Sequence, residues 1–373
     1  MRDVVFVPYS EQNEYHNLLT AALADHDVQT HKGTTRAGFG SREELLGLLF
    51  PLVRFAFDPE VDIDIVHVVW TGPLFLQAGY TPSKTVNRAL SIVRGTILIL
   101  NAYVLRLFGI RIVWTVHNKY NHEKDHVTIN LAVNKLFATA CDALTVECEH
   151  AKTIVSDAFG VQAGKISVIP EGNYIDAYPN DVTRGEARKR LGLPSDATVI
   201  VNFGRIRPYK GVPQLVKAYK TVRTVDSHLL IAGSPMDEEI RQDVLRRTNM
   251  EPDITSDLQF IPNDEVQLYM NAADIVALPY RDILTSGSAL LAASFGRPVV
   301  APAMGCVPAV VQREGGLLYD SEDADELEDA LQNGLKSDNL DAIGVDNRRR
   351  AESLSWSDVA EQTAELYDAV TRA

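Results

Sequence analysis

Arg205 and Lys210 stand on a glycine-bounded turn, Gly204-Arg205-Ile206-Arg207-Pro208-Tyr209-Lys210-Gly211, between the apolar run Val199 to Phe203 and a helical pattern. Two cations where a strand hands over to a helix are suited to a diphosphate, because backbone N–H groups face the anion there and the side chains neutralise it. Further along, Thr285-Ser286-Gly287-Ser288 also follows an apolar run and opens a helix. Gly287 lets the backbone come close, and the helix dipole favours negative charge at that end. Two such turns in one half of a chain point to a nucleotide-diphosphate ligand. The plain structural alternatives are an ordinary charged surface turn for the first and a helix cap by Thr285 or Ser286 for the second.

The elements that must position these turns read as parallel α/β, because short apolar runs alternate with helical patterns throughout. In the first half, strands are expected at Asp3 to Val7, Asp64 to Trp70, Arg111 to Val116, Ala143 to Val146 and Ile166 to Ile169, with helices at Glu43 to Phe57 and Val86 to Phe108. In the second half, strands are expected at Thr198 to Phe203, His228 to Ala232, Leu258 to Ile261, Asp274 to Leu278, Pro298 to Ala301 and Gly316 to Tyr319. Helices fall between them, among them Asp264 to Asn271 and Ser286 to Phe295. The stretch Pro170 to Asn180 is rich in turn formers and has no sustained apolar period, which sets a domain boundary. The expected organisation is residues 1–172 for one Rossmann-like domain and 173–356 for a second, with the final helix 357–373 packing back on the first. Two doubly wound domains of this kind would face a central cleft, with ligands at the carboxyl ends of the strands.

A chain of 373 residues has room for both cores. It enters a strand directly after Met1, so no signal peptide is expected, and charged residues interrupt every apolar run short of the roughly 18 needed for a membrane span. Cys141, Cys148 and Cys306 lack metal-type spacing and fit a reducing cytoplasm. The net charge of -14 argues against a nucleic-acid partner.

One window departs from this acidity. Between Gln77 and His122 there is no acidic residue, while Lys84, Arg88, Arg94, Arg106, Arg111 and Lys119 are present among apolar residues such as Ile97 to Leu100. One reading is a peripheral contact with the inner face of an anionic cell membrane, near a lipid-linked acceptor. The other is a core helix with snorkelling arginines.

The pattern Gly204-Arg205-x-x-Pro208-x-Lys210-Gly211, with Asn271-Ala272-Ala273-Asp274-Ile275-Val276-Ala277-Leu278-Pro279 and Phe295-Gly296-Arg297-Pro298-Val299-Val300-Ala301, resembles the GT4 (group 1) family of GT-B glycosyltransferases. The resemblance covers nearly the whole chain and is closest over residues 198 to 320. It implies a cytoplasmic, nucleotide-sugar-dependent hexosyltransferase of GT-B fold, with a glycan or lipid-linked acceptor and neither metal nor cofactor in the chemistry. Arg205, Lys210, Ser286, Gly287 and Ser288 would hold the donor diphosphate. Thr285 and Asn263 would face the donor sugar or base, although Asn263 also reads as a helix cap. His117, at the end of the run Ile112 to Val116, takes the place of a family histidine that approaches the donor sugar. After the first strand the family often has a glycine-rich loop; here Tyr9, Asn13 and His16 stand instead and suit sugar hydroxyls and a sugar face. The chain departs from the family at two glutamates separated by seven residues, whose places hold Ile283 and Leu291. Asp282 adjoins the first place and is the candidate substitute. The departure keeps a non-catalytic nucleotide-binding partner subunit open as an alternative; a GT-B relative that isomerises, such as a nucleotide-sugar epimerase, is the other.

His122-Glu123-Lys124-Asp125-His126 also matches the zinc-protease pattern H-E-x-x-H, with Glu147 downstream as a third ligand. Its α/β surroundings offer no protease framework. Glu123 or Asp125 reads better as a carboxylate near His117 in sequence, and Glu123 is the candidate general base for the acceptor hydroxyl if the enzyme inverts.

Overall fold

Two six-stranded sheets organise the described residues, and every strand pair in them is parallel. The structure, a computed structural model, describes residues 1–33, 49–57, 62–76, 81–121, 126–311, 317–320 and 325–372. The chain divides into two units: Met1–Gly172 with Trp356–Ala373, and Asn173–Ser355.

In the first unit the strands are β1 (Arg2–Val7), β2 (Val28–Lys32), β3 (Ile65–Val68), β4 (Arg111–Thr115), β5 (Ala143–Val146) and β6 (Ile166–Val168), in the spatial order β2-β1-β3-β4-β5-β6. The order reverses between β1 and β3, which opens a crevice at their carboxyl ends. β3, β4 and β5 read as near-continuous apolar runs because both faces of a parallel sheet are covered. On one face, Val4, Phe6, Ile65 and Val113 pack with Leu19 and Leu23 of the helix Glu14–Leu23 and with Val359, Ala360 and Tyr367 of the helix Trp356–Arg372. That last helix is pinned by His67 on β3, whose ring nitrogens meet Tyr367 Oη at 2.5 Å and Thr115 Oγ1 at 2.7 Å.

In the second unit the strands are β7 (Thr198–Phe203), β8 (Ser227–Ala232), β9 (Ile254–Asp257), β10 (Ile275–Ala277), β11 (Val299–Pro302) and β12 (Leu318–Tyr319), in the order β12-β11-β10-β7-β8-β9. The chain runs outward from β7 to β9, then returns to β10 and runs the other way. The switch point therefore lies between β7 and β10, where Asn202 Nδ2 on β7 donates to the Ala277 carbonyl on β10 at 2.8 Å. Much of the family-like sequence serves this framework. Asp274, at the start of β10, accepts from Val199 N at 2.7 Å and pairs with Arg184 and Arg188, while Asn271 bonds Asn180, Val182 and Arg297.

One strand was not expected, and three expectations shift. The edge strand β2 carries Gln29, Thr30, His31 and Lys32 and gave no apolar run to read. β9 forms at Ile254–Asp257 rather than Leu258 to Ile261, because the pairing with β8 uses Ile254 and Thr255 and leaves Leu258 beyond the ladder. The helix expected from Asp264 begins at Val266, with Glu265 at its N-cap, so neither Asn263 nor Asp264 caps it. The helix expected over Glu43 to Phe57 lies partly outside the described residues and ends in the short turn Val53–Phe57.

Candidate functional site

The turn after β7 and the helix after β10 meet at the switch point of the second unit. Gly204 takes φ 115°, where a side chain would be strained, and a Cβ there would lie 3.3 Å from Ser288 Oγ. Gly211 takes φ 71°, and a Cβ would stand 1.9 Å from the Pro279 carbonyl. The two glycines let the turn press against the loop that follows β10. Lys210 is thereby carried to Tyr280 Oη at 3.5 Å and Ser288 Oγ at 3.4 Å. Its ammonium also lies over the rings of Tyr280 and Tyr209, 4.9 and 5.8 Å from their centroids. Burial opposes the charge on Lys210, but the tyrosine oxygens at 280 and 209 outweigh it and hold the pKa above the ordinary lysine value.

Ser286 caps the helix Gly287–Ser294, accepting from Ala289 N at 3.1 Å, and exchanges a 2.7 Å hydrogen bond with Tyr280 Oη. Its hydroxyl is committed, so Ser288 Oγ and the first-turn N–H groups of Gly287 and Ser288 are the polar groups this end can offer to an anion. Arg205 is exposed on the same turn as Lys210. Tyr280 and Tyr209, unmarked in the sequence, complete the cage. Asp282 and Thr285 sit partly buried on the loop between β10 and that helix, whereas Ile283 and Leu291 are buried apolar residues. Asn263 is exposed on the loop before the helix Val266–Ala272.

In the first unit a second cluster forms at the crevice beyond β1, β3 and β4. His117 follows β4, and its Nδ1–H donates to Glu147 Oε1 at 3.0 Å; the two side chains are only 10% and 8% exposed. A carboxylate only accepts, so Glu147 fixes the imidazole tautomer. Trp70 and Tyr15 lie against the His117 ring at 5.5 and 5.2 Å. His16 is fully buried, stacks on Tyr9 at 4.8 Å and lies 5.0 Å from Trp70. Ser10 N donates to His16 Nδ1 at 2.9 Å, which puts the proton of the neutral ring on Nε2, a buried atom with no partner among the described residues. Burial lowers the His16 pKa to about 4, so the ring stays neutral near pH 7.

The structure thus groups Tyr9, His16 and His117 but gives them and Asn13 local tasks. Asn13 is the N-cap of the helix Glu14–Leu23, accepting from Tyr15 N at 3.1 Å, and Tyr9 Oη donates to Asn17 at 3.0 Å. Glu123 lies outside the described residues, as do His122 and Asp125. Glu147, read as a metal ligand in the zinc-protease pattern, is instead the partner of His117, and the described residues hold no cluster of His, Cys, Asp or Glu able to take a metal ion.

Comparison with known proteins places this geometry. The family described as glycosyl transferases group 1 matches residues 197–337, the stretch that carries the Lys210 cage. D-inositol 3-phosphate glycosyltransferase of Corynebacterium glutamicum is 30% identical over 238 residues, covering 61% of this chain and 57% of that protein. The enzyme of the same name from Corynebacterium urealyticum is 31% identical over 288 residues, 71% of this chain and 68% of that one. The chain belongs to the group 1 glycosyltransferases. It spans less than two thirds of the length of the first of these relatives. The glycosyltransferase fold extends over the whole chain: sucrose-phosphate synthase from Thermosynechococcus elongatus superposes with a TM-score of 0.74 at 21% identity, over 99% of each chain. Two Rossmann-like sheets with this topology are the GT-B architecture that the sequence motifs imply.

Proposed function

We propose that this chain is a hexosyltransferase that moves a sugar from a nucleotide-diphosphate sugar to a hydroxyl of a sugar acceptor. The observation that carries the proposal is the Lys210 ammonium, held by Tyr280 and Ser288 at the switch point of the second unit. In the transfer, the bond from the sugar to the diphosphate breaks and its electron pair leaves with the phosphate oxygen. The acceptor oxygen forms the new bond, and its proton passes to an oxygen of the departing diphosphate or to a carboxylate base, for which Glu123 is the sequence candidate. Charge grows on the departing diphosphate, and Lys210 with Arg205 supplies fixed cations for it, a task that a divalent metal performs in other designs. Gly287 and Ser288 add N–H groups at a helix start. His117, oriented by Glu147, takes the family's role toward the donor sugar, and Asp282 is the carboxylate nearest in sequence to the missing glutamate.

The relatives are named for a phosphorylated inositol. In this chain the first-unit cluster of Tyr9, Tyr15, His16, Trp70 and His117 is aromatic and imidazole-rich. The cation described beside it, Lys32, lies over the Tyr9 ring and pairs with Glu11 at 2.9 Å. Such a set suits hydroxyls and the apolar face of a sugar ring more than a phosphate. The proposed acceptor is a glycan sugar, free or lipid-linked. Buried Ile283 and Leu291 in the glutamate places favour a second reading, a nucleotide-binding subunit without turnover.

Thermal stabilisation by a panel of nucleoside diphosphates and their sugars tests the donor site. A ligand that binds only the native state must raise Tm. One nucleotide should raise it, with the shift lost in Arg205→Ala/Lys210→Ala. No shift with any nucleotide at millimolar concentration overturns the proposal. A shift without sugar release or transfer selects the subunit reading.

A further inference from the structure

The helix Lys84–Leu107 is inverted. A helix on the surface of a water-soluble domain turns its apolar stripe to the core and its polar face outward. Here the buried stripe is Asn87, Ser91, Gly95, Leu98, Asn101, Ala102 and Leu105, largely small or polar. The opposite stripe repeats Val86, Val93, Leu100 and Leu107 at seven-residue intervals, and the last three are 55%, 58% and 85% exposed. Ile92, Tyr103 and Phe108 extend this stripe, and Leu136 joins it from the neighbouring helix Val127–Ala140. On the buried side, the Asn101 amide accepts from Leu52 N and Val53 N and donates to the Leu49 carbonyl, so exposed Leu49 and Phe50 stand beside the same helix. Most of the large hydrophobic side chains that stand exposed in the described structure are gathered here. A patch of this kind marks an interaction surface.

Charge selects the partner. The chain carries -14 overall, yet residues 81–121 and 126–141 contain no acidic side chain. Arg94 and Arg106 donate to the carbonyls of Leu74 and Ala140, and Arg111 pairs with Asp142, so these three serve the fold. Lys84, Arg88 and Lys135 are exposed and make no ion pair among the described residues. A second copy docked by the same face would set two basic rims against each other, whereas an anionic lipid surface matches both the apolar stripe and the rim.

By length and composition this helix could cross a membrane. Its packing argues for lying on the surface instead. A Cβ at Gly95 would meet Val133 at 2.5 Å, so the two helices are in close contact there, and the chain continues from Phe108 directly into β4, inside the sheet. We infer that the stripe Val86, Val93, Leu100, Leu107 lies in the plane of an anionic lipid bilayer and attaches the first unit to it. The inference does not depend on the proposed activity.

Flotation of the full chain with vesicles tests it. Wild type should float with vesicles of equal parts phosphatidylglycerol and phosphatidylcholine, and much less with phosphatidylcholine alone. Leu100→Glu/Leu107→Glu should lower the partition by about tenfold or more, because charge replaces inserted hydrocarbon. Arg88→Glu/Lys135→Glu should weaken it only for the anionic vesicles. These positions are exposed, so circular dichroism and Tm should match wild type. Three outcomes overturn the inference: no flotation, unchanged flotation of the leucine variant, or a wild-type dimer that the leucine variant splits, which would make the stripe a contact between copies. Equal flotation with both vesicle types overturns the choice of an anionic surface.

Discussion

Lys210 Nζ lies 3.4 Å from Ser288 Oγ, although 78 positions separate the two residues in the chain. The parallel pairing of β7 with β10 brings them together, since both follow strands that end at the same edge of the sheet. Lys210 supplies charge and Ser288 supplies position, so their removal should differ. Lys210→Ala should reduce kcat/KM by about 10²–10³, the usual cost of one transition-state charge partner, and Ser288→Ala by about tenfold or less. Steady-state kinetics with the nucleotide sugar selected by thermal shift would decide. Equal, small losses for both would move the diphosphate away from this turn.

Glu147 should act on the reaction only through His117. The pair is buried, and Glu147 sets which imidazole nitrogen holds the proton. Glu147→Gln keeps the shape but removes the charge. It should lower kcat by about 10–100-fold with little change in the donor KM. The double variant His117→Ala/Glu147→Gln should be no slower than His117→Ala alone. Additive losses would show that Glu147 has a separate task.

Stability should rise with pH through the weakly acidic range. His16 and His67 are both buried, and burial lowers their pKa values to about 4 and about 3. In the unfolded chain both return to about 6.5. Between the folded and unfolded values the unfolded state binds more protons. The stabilisation is therefore complete above about pH 6.5 and is lost as pH falls toward the folded values, by up to about 1.4 kcal/mol per pH unit for each histidine. Urea midpoints between pH 4.5 and 7.5 should show this slope. His67→Gln should flatten it, even though the lost bonds to Tyr367 and Thr115 make that variant less stable at pH 7. A slope unchanged in His67→Gln would assign the effect to other groups.

The sequence made the framework legible where the chain is repetitive and left it hidden where contacts depend on register. Central strands such as β7 and β10 are apolar runs because both faces are covered, and such runs can be read directly. The edge strand β2 pairs only with β1 and keeps polar side chains, so nothing in Gln29 to Lys32 announces it. The cations of the Gly204 to Gly211 turn were legible as a spaced motif, whereas Tyr280 was not, because a single tyrosine has no spacing to read. Glu147 was visible only as a stray carboxylate. The pairing of β4 with β5 couples Val113 to Ala143 and Thr115 to Thr145, and the same offset continued past the strands sets His117 beside Glu147. Knowledge of that register would have found the pair. Asn13 has a structural task beyond the one read from the sequence: an Asn before a helical pattern caps it, and the cap uses its amide oxygen.

Asp274 should separate a buried from an exposed ion pair on one carboxylate. Arg188 Nη2 and Arg184 Nη2 both approach it at 2.5 Å, but the Arg188 side chain is 2% exposed and that of Arg184 53%. Arg188 also donates to the carbonyls of Ala272, Ser195 and Ala197. Arg188→Ala would leave those carbonyls and part of Asp274 buried without their donors, a loss of about 3–5 kcal/mol. Arg184→Ala removes a solvent-screened contact and should cost less than about 1 kcal/mol. The guanidinium fork reaches several acceptors at once and an ammonium does not, so Arg188→Lys should recover only part of the loss. Urea denaturation followed by fluorescence would rank the three variants. A cost for Arg184→Ala equal to that of Arg188→Ala would mean that charge at Asp274, rather than satisfaction of the buried carbonyls, holds the start of β10 in place.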